Sequence, residues 1–194
     1  KVLTQAVRDQ SGQLTAAIAS HEGATEIERE EAYLETAALG RGLNLRAGRF
    51  YSGLGYLNQQ HTHAWDFADA PLVYRALFGD QLNDDGVQLS WLAPTDLYFS
   101  LGAEWLRGGD WPAAGDAHGG VGAGTLFAKL GGDVGASNSW QLGLSHWRAD
   151  VLDRASGGDA HGHEGGAGDV SFSGDSRISG LDFVWKWAPG GNAT

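Results

Sequence analysis

Apolar and polar residues alternate along most of the chain, which is the pattern of half-buried β-strands. The clearest run covers residues 97–105, where every second residue is apolar. The run 87–91 alternates in the same way and is joined to it by a short turn containing Pro94, which predicts a hairpin. Extending this reading along the chain predicts about nine strands, at 1–7, 13–21, 25–38, 42–51, 86–93, 96–107, 122–134, 139–151 and 177–188.

The segment 25–38 carries two conflicting signals. Its Glu, Ala and Leu content favours a helix by intrinsic propensity. Its alternation, with Ala32 and Leu34 on one side and Tyr33 and Glu35 on the other, favours a strand. Because strands are predicted on both sides of it, we interpret the segment as a strand.

The connections between the predicted strands differ in length in a regular way. Three of them are long, and they are the fourth, sixth and eighth, at about 52–85, 108–121 and 152–176. In an up-and-down meander, even-numbered connections lie at one end of the sheet and odd-numbered ones at the other. All long loops therefore lie at one end, which is typical of outer-membrane barrels. The long loops carry net charges of −4, −2 and −4.

Composition excludes several classes of protein. The net charge of −11 disfavours nucleic acid as a partner, because such binding needs a basic face. The absence of cysteine excludes disulfides, thiolate zinc sites and thiol nucleophiles. No run of 18 apolar residues is present, so the sequence contains no transmembrane helix, although strands of a transmembrane barrel remain compatible with it.

Tryptophans concentrate near the predicted strand ends. Trp91, Trp140 and Trp187 adjoin short turns on the apolar face, and Trp105 lies on that face near the other end. Interfacial belts of membrane barrels have this distribution. Trp147 has the opposite parity, which predicts that it points inward or follows a bulge.

Several stretches carry a family resemblance. The stretch EEAYLETAALGRGLNLRAGRF resembles a hairpin of Gram-negative outer-membrane porins, notably phosphate-selective and related substrate porins. The stretches GYLNQQHTHAWDFADAPLVYRALFG, DDGVQLSWLAPTDLYFSLGAE and FVWKWAP resemble a porin-like group loosely described as zinc-regulated. The resemblance covers most of 14–190 and is most specific over 30–106.

The resemblance implies a fold, a location and partners. It implies an all-β, antiparallel up-and-down transmembrane β-barrel segment, with 1–194 as a single unit of a larger barrel. Such barrels have about 16 or more strands and usually end on an aromatic residue, so we expect an internal fragment of a longer porin. The implied location is the outer membrane of a Gram-negative bacterium. The implied partners are the lipid bilayer, lipopolysaccharide and small hydrophilic solutes or ions, and porins of this kind are often trimers.

If the apolar face meets lipid, the polar face lines a water-filled lumen. Rings of charged side chains set ion preference in pores. The candidate pore-lining residues have mixed signs, which predicts no strong selectivity from the strands alone; they are Arg46, Arg49, Glu104, Lys129, Asp182 and Lys186. Arg49 lies near a strand end, where parity is less certain. The alternative is that these side chains only hydrate or brace the wall.

The loop 52–85 is the candidate constriction. In porins a long loop often folds into the lumen, and this one contains apolar residues that need cover. The sequence Asp69–Ala70–Pro71 resembles a helix start with proline at the first position and predicts a short helix at about 71–78. Asp66, Asp69 and Arg75 would then line the constriction. A loop packed over the barrel mouth is the alternative.

Two histidine-containing segments suit a divalent metal such as Zn, Cu or Ni. The first contains His61 and His63. The second is denser and contains Asp159, His161, His163 and Glu164. A glycine-rich loop must be ordered before it can chelate, which disfavours specific binding. No cofactor is otherwise implied.

The sequence contains no enzyme signature: no G-x-S-x-G elbow, no P-loop and no dinucleotide fingerprint. Ser145 and His146 are adjacent on a strand and point to opposite faces, so they cannot act together. The expected function is therefore passive diffusion of small hydrophilic solutes or ions through a pore. The alternatives are a soluble β-sandwich binding module, a metal-uptake channel with a His-rich loop, and an outer-membrane enzyme.

Overall fold

The computed structural model describes residues 3–9, 12–18, 31–36, 39–113, 120–155 and 171–188. Over these residues the chain forms one open antiparallel sheet, in which each strand pairs with its sequence neighbours. The nine strands are β1 (Leu3–Asp9), β2 (Gly12–Ile18), β3 (Ala32–Glu35), β4 (Leu43–Tyr51), β5 (Asn83–Leu92), β6 (Tyr98–Leu106), β7 (Ala123–Val134), β8 (Asn138–Ala155) and β9 (Ser171–Trp187). Within the described residues β1 and β9 do not pair, so the sheet is not closed. The prediction of an all-β, up-and-down architecture is confirmed.

The predicted strand boundaries differ most in the last hairpin. β8 and β9 extend several residues further toward the long loops than the alternation indicates, and a register shift lies between Val151 and Arg154. The stretch that starts β9, residues 171–176, has Phe172 as its one large apolar residue, so it gives no periodic signal. For the third strand, the described part of 25–38 forms a strand only over Ala32–Glu35.

The short connections that the structure describes in full, 93–97 and 135–137, place consecutive strands side by side. Between β3 and β4, Gly40, Arg41 and Gly42 all have positive φ. Gly42 is required for a second reason, since a Cβ there would lie 2.0 Å from the carbonyl oxygen of Leu92 on β5. Only glycine can occupy such a position without moving the neighbouring strand.

The sheet has two faces of opposite character. On the outer face, large apolar side chains are exposed, and they include Leu43, Val87, Leu89, Leu101, Trp105, Leu126, Leu144, Leu181, Phe183, Trp185 and Trp187. On the inner face, polar side chains are buried, and they include Gln88, Ser100, Glu104, Thr125, Lys129 and Ser145. Trp147 is completely buried and pairs with Thr125 on the inner face, so of the two alternatives that its parity left open, an inward orientation or a preceding bulge, the structure shows the first.

The long connection between β4 and β5, residues 52–82, covers the inner face; we call it the inner loop. It contains a 3₁₀ turn (Thr62–Ala64) and helix α1 (Leu72–Phe78). Helix α1 lies where the sequence predicted it, but Pro71 is the N-cap residue and the helix begins at Leu72. Phe78 and Leu82 pack with Leu106 and Trp147 of the sheet in the main apolar cluster.

Among the described residues, no helix is long and apolar enough to cross a membrane.

Candidate functional site

A row of polar side chains crosses the middle of the inner face. Antiparallel partners lie on the same side of a sheet, and the strand register aligns Glu35, Arg46, Gln88, Glu104, Thr125 and Trp147 in successive strands. The row is predominantly polar because alternation along each strand sends the apolar partners outward. The inner loop begins directly beside this row, at Ser52.

Glu104 connects the inner loop to the sheet. Its Oε2 accepts a hydrogen bond from Ser52 Oγ at 2.5 Å, and its Oε1 accepts from the Gly53 N–H and from Gln88 Nε2, both at 2.6 Å. Ser52 Oγ also lies 3.1 Å from Thr125 Oγ1. Because the Glu104 carboxylate is only 3% exposed, three protein donors replace its hydration. Glu104 therefore anchors the start of the inner loop to the wall.

Close packing around Phe127 brings the loop backbone against the wall. A Cβ on Gly53 would lie 2.3 Å from the Phe127 ring, and a Cβ on Gly102 would lie 2.1 Å from it. The ring therefore contacts both the loop and β6. Two glycines make this approach sterically possible, and Phe127 is only 7% exposed.

Asn58 fastens the two ends of the inner loop together. Its Nδ2 donates to the carbonyl oxygens of Ser52 and Leu82, both at 2.8 Å, and its Oδ1 accepts from the Leu82 N–H at 2.7 Å. Asn58 is fully buried. Asn58 therefore holds the first and last residues of the inner loop close together.

A second row lies closer to the short turns than the central row does. In this second row Lys129 pairs with Gly143 of β8, and Gly143 pairs with Asp182 of β9. Lys129 Nζ donates to Gln59 Oε1 of the inner loop at 2.9 Å and lies 5.3 Å from the Phe127 ring centroid. Both carboxylate oxygens of Asp182 are buried and lack a hydrogen-bond partner in the described part of the chain.

The middle of the inner loop, at Asp66, contacts the short-turn end of β9. Lys186 Nζ lies 3.0 Å from Asp66 Oδ2 and 5.4 Å from the Tyr56 ring centroid. The register places Ile178 of β9 in the central row, eight residues above Lys186. At about 3.3 Å per residue, the loop extends along about 26 Å of the inner face.

Tyr74 of helix α1 faces the same lower region. A Cβ on Gly55 would lie 2.1 Å from the Tyr74 hydroxyl oxygen and 3.9 Å from Asp182 Oδ2. Burial, reinforced by the negative charge of Asp182, raises the pKa of Tyr74 to about 12. Tyr74 is therefore neutral at physiological pH and keeps its O–H as a donor.

Five of the six candidate pore-lining residues lie on the inner face, but Arg49 is placed differently. The register pairs Arg49 with Asp85 of β5. Along β4, Arg49 has the same parity as the outward-facing positions. Its guanidinium lies 2.9 Å from Asp110 and 3.7 Å from Asp85, at the long-loop end of the sheet. Arg46, by contrast, lies 3.3 Å from Glu35 and stacks on Tyr33.

The candidate constriction residues do not act as one group. Asp66 contacts Lys186, whereas Asp69 is exposed. Arg75 on helix α1 is also exposed, and its guanidinium lies 3.9 Å from Asp80. Of these three residues, Asp66 alone contacts a candidate pore-lining residue among the described side chains.

The first histidine segment does not form a metal-ligand cluster. His61 and His63 stack with ring centroids 5.6 Å apart, and His61 Nε2 lies 3.2 Å from Glu31 Oε2. The described residues contain no group of three or more His, Cys, Asp or Glu side chains able to hold a metal. The second segment, with Asp159, His161, His163 and Glu164, lies outside the described residues.

Sequence reasoning missed the loop side of the site. Ser52, Gly53, Asn58 and Gln59 carry no motif, and their partners are distant in sequence. Gln88 could have been found, because the alternation of Val87 and Leu89 places it on the same face as Glu104.

Comparison with known proteins shows that part of the chain is similar to a bacterial protein. It is 49% identical over 79 residues to a protein of Aquifex aeolicus (strain VF5) described as an uncharacterized protein. The matched part is 41% of this chain and 17% of that protein, so the match spans less than a fifth of the relative's length. No family model and no solved structure matches the chain.

Proposed function

We propose that this chain forms part of the wall of a porin-like β-barrel in the outer membrane of a Gram-negative bacterium. The pore passes small hydrophilic solutes or ions by passive diffusion. The observation that carries the proposal is the distribution of polarity across the sheet: apolar side chains are exposed on the outer face, and polar or charged side chains are enclosed on the inner face beside the apolar cluster that contains Leu106 and Trp147.

The energetics favour a lipid environment for the outer face. Isolated exposed apolar residues are ordinary, but large contiguous apolar patches on a protein surface mark interaction sites. Here the patch runs across β4–β9, and no second sheet packs on it within the described residues. A soluble β-sandwich would bury this face against another sheet, so the observation disfavours that alternative.

The inner loop narrows the pore in this proposal. It follows the inner face from the Glu104 anchor to the Lys186 contact, and the Leu72 and Arg75 side chains of helix α1 are exposed. An open sheet leaves two strand edges unpaired, which lipid does not tolerate. The edges are therefore paired by further strands of a larger barrel.

The proposal is tested by measuring far-UV circular dichroism and limited proteolysis in plain buffer and in detergent micelles. We expect a protease-resistant β-fold only with detergent, and conductance steps in planar bilayers when the sequence is carried within a complete barrel. A monomeric, protease-resistant β-fold in buffer would contradict the membrane assignment. Folded barrels without conductance would contradict the pore.

A further inference from the structure

A cavity of about 300 Å³ lies between the inner loop and β9. Its walls are mainly apolar, with helix α1 and the first part of the loop on one side and β9 on the other. The residues that matter for its chemistry are Leu57, Val73, Tyr74, Leu77, Ile178 and Asp182. A mainly apolar cavity with one or two polar groups is the usual form of a small-molecule site.

Asp182 supplies the charged group of this cavity. Each of its carboxylate oxygens exposes less than 1 Å² and has no hydrogen-bond partner in the described part of the chain. The carboxylate lies over Gly143, where a Cβ would approach Oδ2 to 2.3 Å. An ionised carboxylate can accept several hydrogen bonds, and burial without them is costly. A bound ligand that carries a hydrogen-bond donor would therefore satisfy the Asp182 carboxylate.

The neighbouring charges do not supply that donor. Glu104 is satisfied by three donors of its own, and buried Asp84 accepts from the Gly108 and Asp85 backbone N–H groups. Lys129 donates to the Gln59 amide. Glu104 and Asp182 together with Lys129 leave one excess negative charge in this part of the inner face.

Tyr74 borders the same point. Its hydroxyl oxygen and Asp182 Oδ2 lie 2.1 and 3.9 Å from the position that a Cβ would take on Gly55. A carboxylate beside a neutral hydroxyl favours an ammonium group, which gains ionic attraction from the first and can donate a hydrogen bond to the second. A metal ion is disfavoured, because the described residues offer no cluster of three ligands.

We propose that this cavity binds a small organic cation, with its ammonium group on the Asp182 carboxylate beside Tyr74 and its short apolar tail against Leu57, Val73 and Leu77. In this proposal the Asp182 side chain turns from Gly143 toward the cavity when the ligand binds, because its oxygens are not exposed in the unbound structure. Assigning such a cation as a transported solute rests on the proposed pore function, whereas its binding at this cavity does not.

The test uses the 194-residue chain in the medium, detergent or buffer, in which amide protection shows β7–β9 folded. Binding of n-butylammonium and of its neutral analogue n-butanol is measured by NMR chemical-shift titration. We expect n-butylammonium to bind at least tenfold more tightly than n-butanol, with shifts centred on residues 55–57, 73–77 and 178–184. Equal affinity for the two probes would overturn the proposal.

Two variants locate the charge and the cavity. Asp182→Asn should weaken n-butylammonium binding at least tenfold and leave n-butanol unchanged, whereas the control Asp175→Asn, on the exposed part of the same strand, should change neither. Val73→Trp alters a half-exposed cavity wall and keeps the fold testable if Asp182→Asn is unstable; it should weaken both probes. Unchanged affinity in Val73→Trp, or in a folded Asp182→Asn, would contradict the site. Folding in buffer alone would contradict the pore and leave this binding test intact.

Discussion

The two faces of the sheet are formed by the same strands but differ in the side chains that they expose and bury. The outer face exposes Leu101, Leu144 and Phe183, with no cover in the described residues. The inner face buries Glu104 and Lys129 under a loop of the same chain. In a soluble protein the assignment would be reversed. Under the proposed membrane location the outer face meets an apolar solvent, whereas each buried polar group on the inner face needs a specific partner.

The largest expected effect is on the outer face. Leu101 lies midway along the apolar side of β6 and is 39% exposed. In a bilayer, Leu101→Arg should lower the free energy of unfolding by about 2–4 kcal/mol. The measurement is denaturant unfolding in lipid vesicles, with Thr95→Arg in the exposed turn as the control. A change within about 0.5 kcal/mol, which is typical of water-exposed positions, would show that this face is not in lipid.

On the inner face, the anchor at Glu104 should matter nearly as much. Glu104→Ala leaves Ser52, Gly53 and Gln88 without their acceptor, and hydrogen bonds to a charged group contribute about 1.5–3 kcal/mol each. We expect a loss of about 2–3 kcal/mol in the free energy of unfolding, together with faster proteolysis of residues 52–82. Gln88→Ala removes one of the three donors and should have a smaller effect. Equal protease resistance of Glu104→Ala and the parent chain would contradict the anchoring role.

Tyr74 gives the inner face a pH dependence at the alkaline end. Its pKa rises from 10.0 to about 12 in the folded chain, so folding favours the protonated form. This contribution to stability is fully present below pH 10 and is lost as the pH rises through 12. Tyr74→Phe should flatten the decline in unfolding free energy between pH 10 and 12. An identical pH profile for the two proteins would contradict the buried environment of the hydroxyl.

The contact between Lys186 and Asp66 should have the smallest effect. Both side chains are about half exposed, and such ion pairs contribute about 0–1 kcal/mol. Lys186→Met should leave global stability almost unchanged and increase cleavage near residue 66. Asp66→Asn should reproduce the same cleavage pattern. A large loss of global stability in either variant would mean that this contact contributes more to the free energy of unfolding than its exposure indicates.

The sequence predicted the outer face better than the inner one, for a physical reason. Alternation depends only on neighbours along the strand, so most strands could be read from it, as could the two possible explanations for Trp147. The local sequence Asp69–Ala70–Pro71 predicted helix α1. The bonds from Ser52 and Asn58 to residues more than 20 positions away depend on how the loop folds, which no local pattern encodes. The direction of the Arg49 side chain could not be read from its position at a strand end, and the start of β9, with Phe172 as its one large apolar residue, shows too little alternation to predict a strand.

The most direct test of the central claim uses the absence of cysteine from the chain. A single spin label at Leu101→Cys is compared with one at Thr95→Cys in lipid vesicles by electron paramagnetic resonance, with oxygen and a water-soluble nickel chelate as relaxants. We predict that oxygen relaxes the label at position 101 more strongly than the chelate does, and that the order is reversed at position 95. Strong relaxation by the chelate at both positions would contradict a lipid-facing outer surface.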